Sequence, residues 1–588
     1  MKTISKTLGF STLLLTALPA SALQFNLGPA EASLESVASL GLAWRTEARD
    51  LDRIGVGNGG NAFSTNSDDG NLAFSNGDTI ASTLKLTSDF SASWGDFGVF
   101  VRGSYLYDPT LDDHEFFDSA DYGPGREAPA SERYFKQSAV QGHIGHDGDI
   151  LDAYVSWQGK IASRDVGIRV GRQHLSWGES IFIRNGLDSI GAVDANQLRV
   201  PGFELEEVFT PLSMVWASIG LPFDMSLEGF YQLDWQQTEP DVAGSFHSTS
   251  DYVGIGGTRA NLGFGQVDEN TPGSSVIRAG DVEPDDEGQF GFALSMFLAK
   301  LNDTSVTIYG SNYHSRLPVF SGTSSNAPQS TVGANYFIEY PEDIQLYGLS
   351  FNTPGPFGLA LQGEYSYKVD QPLQIDDVEL LLTGLGIPSQ INPVLGGASG
   401  NQYLRGWRRH DISQLNLSTT QLFSPNKALG FDQLLMVVEA GAMYVHDLPE
   451  TNELRYEGPG TFTPAFDLAT DGPFRGAFLA SQGLPAQDGG YATRFSWGYR
   501  IALQATYHNV IQSLKLIPGI RFEHDVNGVS PAPVVNFFKE RKTAQLSMGF
   551  DTGSDWSSEV GYTLRFDGGD GNILSDRDFA YFNVKYFF

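Results

Sequence analysis

The sequence predicts an all-β fold, a transmembrane antiparallel β-barrel of about eighteen strands, with sixteen as the alternative count. Three observations favour it. Apolar and polar residues alternate with a period of two, the connections between these stretches are alternately short and long, and the chain ends on an aromatic strand. A sheet crosses hydrocarbon only when it closes on itself, because every backbone donor and acceptor must be paired within the protein. We therefore expect residues 23–588 to form one barrel.

The first 22 residues predict a secretory signal peptide. Lys2 and Lys6 precede an apolar core from Leu8 to Leu18, and Ala20-Ser21-Ala22 supplies the small residues before a cleavage point. This core is too short for a membrane-spanning helix, which needs roughly 20 apolar residues. The protein is therefore expected to leave the cytoplasm.

Composition excludes several functional classes. The 588 residues include no cysteine, which excludes a disulfide framework, thiolate metal sites and cysteine nucleophiles. The formal net charge is −33, so the protein repels polyanions, and nucleic acid is excluded as a partner.

The stretch TIASTLKLTSDFSASW shows what these strands have in common, which is one apolar face. That face consists of Ile80, Leu84, Leu86, Phe90 and Trp94, and the opposite face carries Lys85, Thr87 and Asp89. A charge on the lipid face costs about 2 to 4 kcal/mol near the midplane, so charged strand residues belong in the lumen. There they pair between neighbouring strands or line a solute path. The candidates are Glu228, Asp234, Glu364, Lys368, Arg500, Arg521, Glu523, Glu559 and Arg565.

Connection lengths indicate which end of each strand faces the periplasm. Short turns at Gly95-Asp96, Leu221–Asp224, Thr353–Gly358 and Thr552–Asp555 alternate with long polar loops at Glu47–Asn76, Asp108–Gly148, Thr238–Gly288 and Val445–Thr493. Outer-membrane barrels have short periplasmic turns and long extracellular loops. A series of soluble β-sandwich domains is the alternative. The chain shows no internal repeat or linker that would divide it into such domains.

Sequence motifs for chemistry are weak. Gly55–Gly60 matches G-x-G-x-x-G but lacks the strand and helix of a dinucleotide site, and neither G-x-S-x-G nor H-E-x-x-H occurs. We therefore assign no catalytic residue and no cofactor. Two acidic loop stretches offer oxygen ligands for Ca²⁺, although solvated loops are the simpler interpretation. They are Asn66, Asp68 and Asp69, and Asp281, Glu283, Asp285 and Asp286.

Two stretches depart from the barrel pattern. Residues 170–211 mix apolar and charged residues without a period of two, which predicts a packed segment that folds inward as a plug or constriction, or a loop that seals the barrel mouth. Its candidate residues are Arg172, Trp177, Glu179, Arg184, Arg199 and Glu204. Residues 374–386 place apolar side chains at helical spacing after an acidic pair, which predicts a helix in a loop.

The chain ends on AYFNVKYFF, in which Phe582, Val584, Tyr586 and Phe588 fall on one face. We expect these four residues to face lipid on the last strand and to pair with the first strand, near Leu34 to Trp44. A terminal phenylalanine resembles the signal that barrel-assembly machinery recognises in outer-membrane proteins.

Several blocks of sequence resemble one known family. LQFNLG, LAWRTEARDLDRIGVGNGGNAFSTNSDDGNLAF, VGRQHLSWGES, LRVPGFELEE, QPLQIDDVELLL and DRDFAYFNVKYFF are similar to the outer-membrane family catalogued as domain of unknown function 1302. The resemblance implies a barrel in the outer membrane of a Gram-negative bacterium. Members often accompany an inner-membrane transporter of the resistance-nodulation-division type and a periplasmic partner of the family called domain of unknown function 1329. The resemblance supplies no catalytic or binding residues for this chain.

These observations together predict an outer-membrane barrel that acts as a channel or conduit for a hydrophobic or lipid-like solute, without chemistry of its own. A general or substrate-selective porin is the first alternative, and an outer-membrane hydrolase is the second. A porin keeps a wide polar lumen, whereas a lipid conduit has an obstructed lumen with apolar residues along an inner pocket.

Overall fold

A closed antiparallel β-barrel of eighteen strands forms the body of the computed structural model, which describes residues 23–114, 138, 141–267 and 274–588. The predicted signal peptide lies outside the described residues. In chain order the barrel strands are β1 Ala30–Arg45, β2 Thr79–Trp94, β3 Phe97–Tyr107, β4 His146–Ile161, β5 Arg164–Gln173, β6 Leu212–Leu221, β7 Met225–Gln232, β8 Phe290–Leu298, β9 Thr304–Tyr313, β10 Ile344–Pro354, β11 Leu359–Gln374, β12 Trp407–Phe423, β13 Gln433–Val445, β14 Phe495–Ile511, β15 Leu514–Asn527, β16 Lys542–Asp551, β17 Trp556–Phe566 and β18 Phe579–Phe587.

The barrel closes between β1 and β18, where Val37 to Arg45 lie opposite Phe587 to Phe579. An additional short strand, Leu23–Leu27, folds back on residues 30–34 and occupies the edge of β1 beyond the end of β18. The backbone of Phe588 completes this seam, because its carbonyl accepts from the Ser36 N–H at 2.7 Å and its own N–H donates back to Ser36 at 2.9 Å. The predicted barrel of eighteen strands is therefore confirmed.

Short and long connections lie at opposite ends of the barrel. The end with the short connections, such as residues 95–96, 162–163 and 512–513, is called the turn end here; β1 begins and β18 ends there. The other end carries the long connections, such as residues 46–78, 233–289 and 446–494, and is called the loop end. This arrangement matches the predicted alternation of connection lengths.

The outer surface of the wall is apolar. Alternate strand residues are exposed hydrophobics, among them Leu84, Leu86, Val155, Val170, Phe292, Ile308, Leu349, Leu415, Leu417, Ile520, Leu546 and Val560. Exposed aromatic residues lie near both ends: Trp94, Phe97, Phe223, Phe357 and Trp556 at the turn end, and Tyr105, Tyr231, Phe290, Tyr347, Tyr444 and Phe495 at the loop end. An apolar band between two aromatic girdles is typical of a barrel that spans a membrane.

Ile80 departs from the predicted face. Residues 84 and 86 are exposed as expected, but Ile80 is buried with Leu72 and Phe74 beneath a loop. The register of β1 and β2 shifts at this point, because Ala43 pairs with Ala81 and Trp44 with Thr79, which leaves Ile80 unpaired in a bulge. A bulge turns a side chain away from the regular alternation.

The connections between barrel strands contain secondary structure of their own, most of it at the loop end. Among the described residues, the helices are α1 Asp69–Ala73, α2 Pro109–Asp112, α3 Leu205–Val208, α4 Asp377–Gly384 and α5 Gly472–Gln482, with short helical turns at Leu51–Arg53, Val56–Asn58, Gln141–Gly145, Leu187–Ile190, Gln197–Arg199, Pro356–Gly358 and Gly569–Gly571. A five-stranded sheet joins Arg259–Asn261, Ser275–Arg278, Asn335–Glu339, Val319–Thr323 and Tyr403–Leu404 from three different loops. No helix in the described part of the chain is long and apolar enough to span a membrane.

Two fully buried arginines connect these loops to the barrel. Arg45 donates to the carbonyls of Asn71 and Phe74 and to Asp576, and Arg577 donates to the carbonyls of Phe246 and Ser248. A buried guanidinium is stable only when its donors are paired. The two arginines therefore hold three loops in one arrangement above the lumen.

Deleting Phe588 tests the seam between β1 and β18. The deletion removes both backbone hydrogen bonds to Ser36 and the ring stacked on Tyr586. We expect a several-fold loss of heat-modifiable, folded protein in the membrane fraction of an expressing Gram-negative host. Phe587→Ala is the control, because this neighbouring ring faces the lumen. Normal levels of folded protein after the deletion would show that the terminal residue is dispensable for assembly.

Candidate functional site

Residues 174–211, which connect β5 to β6, run through the lumen of the barrel and are called the inward segment here. Their contacts lie on lumen-facing side chains of strands around the barrel, from β1 and β2 to β11, β13 and β18. The sequence predicts a packed segment from residue 170, but Val170 to Gln173 belong to β5. Arg172 is therefore a wall residue, paired with Asp149 of β4 at 3.2 Å, because the strand continues four residues further than the pattern suggests.

Glu439 on β13 binds one turn of the inward segment. Its carboxylate accepts the backbone N–H groups of Ile181 (3.1 Å), Phe182 (2.5 Å) and Ile183 (3.1 Å), and the Ser180 hydroxyl at 2.7 Å. Glu439 is completely buried. Hydrogen bonds to a carboxylate are stronger than neutral ones, so this residue fixes the backbone of the segment against the wall.

Glu364 on β11 performs the same role nearby. Its carboxylate accepts the N–H groups of Glu179 at 2.8 Å, Ser180 at 3.1 Å and Leu187 at 3.3 Å, and the amide of Asn416 at 3.3 Å. Among the described residues, no lysine or arginine forms an ion pair with Glu364 or Glu439. Each buried charge is stabilised by N–H donors instead, which is how a protein holds a carboxylate without a cation.

The segment approaches the wall so closely that glycine is required on both surfaces. Gly178 has a φ of 96°, and a Cβ there would lie 2.2 Å from the Glu364 carboxylate. On the opposite wall, a Cβ on Gly41 of β1 would lie 2.4 Å from the Pro201 carbonyl oxygen. Backbone packing at this distance leaves no room for a side chain.

The C-terminal end of the inward segment is held by ion pairs. Here the segment supplies the carboxylates and the barrel wall supplies the lysines. Glu207 on α3 accepts from Lys85 and from the Thr87 hydroxyl on β2, and Glu204 accepts from Lys585 on β18 at 2.5 Å. Lys85 and Glu207 are both buried. Sequence reasoning placed Lys85 on the polar face of its strand but did not identify its partner, since residues 85 and 207 are distant in sequence.

Apolar side chains fill one half of the lumen. Trp177, Leu187 and Ile190 of the segment pack against inward residues of β6 to β10, namely Leu212, Met214, Phe230, Ala293, Tyr309, Tyr313, Ile344 and Leu346. The Trp177 indole N–H also donates to Glu228 at 2.8 Å. Tight packing of large apolar groups excludes water. The inward segment is therefore packed against the wall formed by β6 to β10.

The other half contains a cavity of about 1450 Å³, called the side passage here. It lies between residues 198–204 of the inward segment and the lumen face of β14 to β18, and it reaches Asp551, Ser557 and Phe587 near the turn end. At the loop end its lining is mainly apolar, and includes Leu262, Phe264, Val276, Phe320, Leu381 and Phe462. The structure therefore leaves one continuous space along one side of the lumen.

The predicted lumen charges on β14 to β17 lie along this passage and mostly pair with one another. Arg500 contacts Glu523 at 3.4 Å and Asp525 at 2.7 Å, and Arg521 contacts Glu523 at 2.8 Å. Glu559 accepts from the Tyr581 hydroxyl at 2.7 Å, and Arg565 donates to the Arg577 carbonyl at 2.6 Å while lying over the Phe579 ring. The passage thus combines paired charges along the barrel wall with an apolar region under the loops.

The remaining predicted residues have local partners. Lys368 donates to the Asn185 carbonyl at 2.8 Å, Arg184 pairs with Asp188 at 3.0 Å, and Arg199 makes two hydrogen bonds to Asp241. Glu179 accepts from the Asn352 amide at 3.2 Å. Asp234 is not on a strand as predicted. It follows the last residue of β7 and accepts from the Ser213 N–H and hydroxyl at the loop end, because β7 stops at Gln232.

The two acidic stretches considered for Ca²⁺ binding differ in how closely their carboxylates lie together. Asp68 and Asp69 lie beside Asp251 of another loop, with carboxylate oxygens within 4.8 Å of one another, while Asn66 bonds to Asn261 instead. The second stretch is dispersed: Asp281 pairs with Arg278, Asp285 donates its N–H to Glu342, and Asp286 accepts from the Trp235 N–H.

Comparisons with known proteins identify a family. The sequence profile of the family described as "Protein of unknown function (DUF1302)" matches residues 3–588. No curated protein matches the chain. Solved structures similar to it include a BenF-like porin from Pseudomonas fluorescens (8% identity, 95% of this chain and 98% of that one, TM-score 0.40) and OccAB1 from Acinetobacter baumannii (9%, 97% and 99%, 0.40). At this low identity and TM-score, these structures do not indicate a solute for this chain.

Glu439→Gln tests the attachment of the inward segment. Glutamine has a similar shape but lacks the charge that stabilises four hydrogen bonds, so we expect the free energy of unfolding to fall by about 2 to 3 kcal/mol. Urea unfolding of the barrel in lipid vesicles measures this. Glu453→Gln, at an exposed loop position, should change stability by less than about 0.5 kcal/mol. Equal stability of the two variants would exclude an anchoring role for Glu439.

A double-mutant cycle at Lys85 and Glu207 tests the second attachment. Lys85→Met leaves a buried carboxylate without its cation, which should cost about 3 to 5 kcal/mol. The double variant Lys85→Met/Glu207→Leu removes both charges and should recover most of that loss. If the two single effects simply add in the double variant, the two residues do not interact energetically.

Proposed function

The chain belongs to the family described as protein of unknown function DUF1302, and on that premise we propose that it is an outer-membrane channel or conduit for a hydrophobic or lipid-like solute. The observation that carries this proposal is the shape of the lumen: packed apolar side chains lie on one side of the inward segment and the side passage lies on the other. We expect a solute that crosses the barrel to travel along that passage.

The membrane placement rests on the outer surface. The apolar band and its two aromatic girdles fit a lipid bilayer, and the turn end, where β1 begins and β18 ends, is assigned to the periplasm. The loop end then faces the outside of the cell. Barrel-assembly machinery would insert the protein through its C-terminal strand, where Phe582, Val584, Tyr586 and Phe588 alternate with Asn583 and Lys585, which face the lumen.

The lining of the side passage supports a solute with an apolar part. Phe264, Leu381 and Phe462 lie on three different loops, and all three line the passage at its loop end. Burial of an alkyl chain against such apolar side chains is worth about 0.8 kcal/mol for each CH₂ group. A head group can interact with the charges nearer the turn end, such as the partly exposed Arg521.

A substrate-selective porin is the second candidate. The side chains of Arg521 and Glu523 are partly exposed in the passage, and opposed charges of this kind select small polar solutes in a narrow channel. The two candidates differ in ion conductance and in affinity for acyl chains.

The proposed partners follow from the family resemblance. An inner-membrane transporter of the resistance-nodulation-division type and a periplasmic protein would exchange the solute with the barrel at its turn end. No catalytic activity is proposed, and assays for ester and phospholipid hydrolysis with the purified protein test that expectation.

The proposal predicts acyl-chain binding with little ion flow. A fluorescent fatty acid should bind the purified barrel, and Phe462→Ser should weaken binding by about tenfold, which corresponds to about 1.4 kcal/mol. Phe474→Ser is the matched control, because Phe474 lies on α5 outside the passage. Planar-bilayer recordings should show small conductance. A large, steady ohmic conductance together with equal fatty-acid affinity in both variants would favour the porin.

A further inference from the structure

A group of acidic residues at the loop end lies apart from the inward segment and its attachments. Asp376 and Asp377 stand at the start of α4, directly after β11, and Glu457 comes from the loop between β13 and β14. An isolated antiparallel bridge between Ile375 and Tyr456 brings the two loops together. One carboxylate oxygen from each acid lies within 4.8 Å of the other two.

Nearby cations are used by other acids. Arg455 pairs with Glu379 at 3.1 Å and with Asp471 at 3.0 Å, and Arg475 pairs with Glu379 at 2.9 Å. Within the described residues, no lysine or arginine forms an ion pair with Asp376, Asp377 or Glu457. Three carboxylates therefore share a mostly buried position without a matching positive charge.

Their local hydrogen bonds are incomplete. The Glu457 carboxylate accepts the Asp377 N–H at 2.8 Å and the Thr461 hydroxyl at 3.2 Å, and Asp377 accepts from the Tyr252 hydroxyl at 3.0 Å. Asp376 is completely buried, and its Oδ2 accepts the Glu379 N–H at 3.3 Å. Its Oδ1 has no hydrogen-bond partner among the described residues. A buried carboxylate oxygen without a donor is costly unless a cation or a proton satisfies it.

A second buried polar atom lies at the same place. The Tyr491 hydroxyl has no hydrogen-bond partner in the described structure, although the side chain is only 7% exposed. The Ala492 N–H donates to the Tyr456 carbonyl at 3.1 Å, which places residue 491 beside the bridge between Ile375 and Tyr456. Burial raises the pKa of Tyr491, and the charge of Asp376 raises it further. Burial and neighbouring carboxylates also raise the pKa values of Asp376 and Glu457.

We propose that Asp376, Asp377 and Glu457 bind a divalent cation with a preference for oxygen ligands, of which Ca²⁺ is the first to test. Ca²⁺ takes six to eight oxygen ligands in flexible geometry, and three carboxylates from two loops supply the charge that such a site needs. Asp377 and Glu457 also line the side passage, which gives the ion a route from solvent. The inference rests on this group of residues and does not depend on the proposed transport.

Cation binding would connect three loops at the mouth of the side passage. Asp376 and Asp377 belong to the loop after β11, Glu457 to the loop after β13, and Tyr252, which donates to Asp377, to the loop after β7. Bound Ca²⁺ would replace repulsion between the acids with shared coordination. The loops should then be more stable in Ca²⁺ than in a chelator.

Calorimetric titration of the full-length mature barrel with CaCl₂, after chelator treatment, tests the site. We expect the double variant Asp377→Asn/Glu457→Gln to bind one Ca²⁺ fewer per chain than the wild type, and to lose the Ca²⁺-dependent rise in thermal stability. Asp281→Asn is the control, because that acid lies at the same end and already pairs with Arg278. Heat-modifiable mobility on a denaturing gel verifies that each variant is folded.

Three results would overturn the proposal. The first is equal Ca²⁺ stoichiometry in the wild type and in the folded double variant. The second is loss of Ca²⁺ binding in Asp69→Asn while the double variant still binds it, which would place the cation with Asp68 and Asp251. The third is no Ca²⁺ binding by the wild type at neutral pH, which would show that the three acids share protons instead.

Discussion

Every backbone N–H and C=O group in the hydrocarbon layer must be paired inside the protein, and the rest of this structure depends on that constraint. It requires the sheet to close, and closure takes place between β1 and β18, with Phe588 and Ser36 completing the last pair. A closed sheet has one face toward lipid and one toward the lumen. The alternation of residues, the aromatic girdles and the division into a turn end and a loop end all follow from it.

The same physical problem recurs inside the lumen, where the inward segment has little regular hydrogen bonding of its own. Six of its backbone N–H groups donate to Glu364 and Glu439, two wall carboxylates that have no lysine or arginine as ion-pair partner in the described chain. The N–H groups and the carboxylates stabilise each other, because buried donors and buried acceptors are costly alone and favourable together. The apolar cluster around Trp177 packs the inward segment against β6 to β10, and the side passage lies between that segment and β14 to β18.

Charge is distributed by the same principle. Along the wall of the side passage, Arg500 pairs with Glu523 and Asp525 on the adjacent strand, and Arg521 pairs with Glu523 on its own strand, so each charge has a partner that offsets part of its desolvation. At the loop end, Arg455 and Arg475 neutralise Glu379 and Asp471 but leave three other carboxylates close together. The barrel wall of the proposed solute path therefore has paired charges, whereas the proposed cation site at its loop end has an excess of negative charge.

The sequence by itself determined the barrel and the placement of short and long connections, and it predicted about eighteen strands with sixteen as the alternative, because a period of two and the cost of a charge in lipid act on neighbouring residues. It also predicted a packed segment in residues 170–211 and a helix in residues 374–386, where α4 lies. Only the tertiary structure decided which residues hold that segment, since Glu439 meets residues 180–183 and Lys85 meets Glu207 across more than a hundred positions of chain. The shape of the lumen was likewise decided only by the tertiary structure. Side-chain periodicity describes one strand at a time, whereas a cavity and a group of converging acids are made by residues that only closure of the barrel brings together.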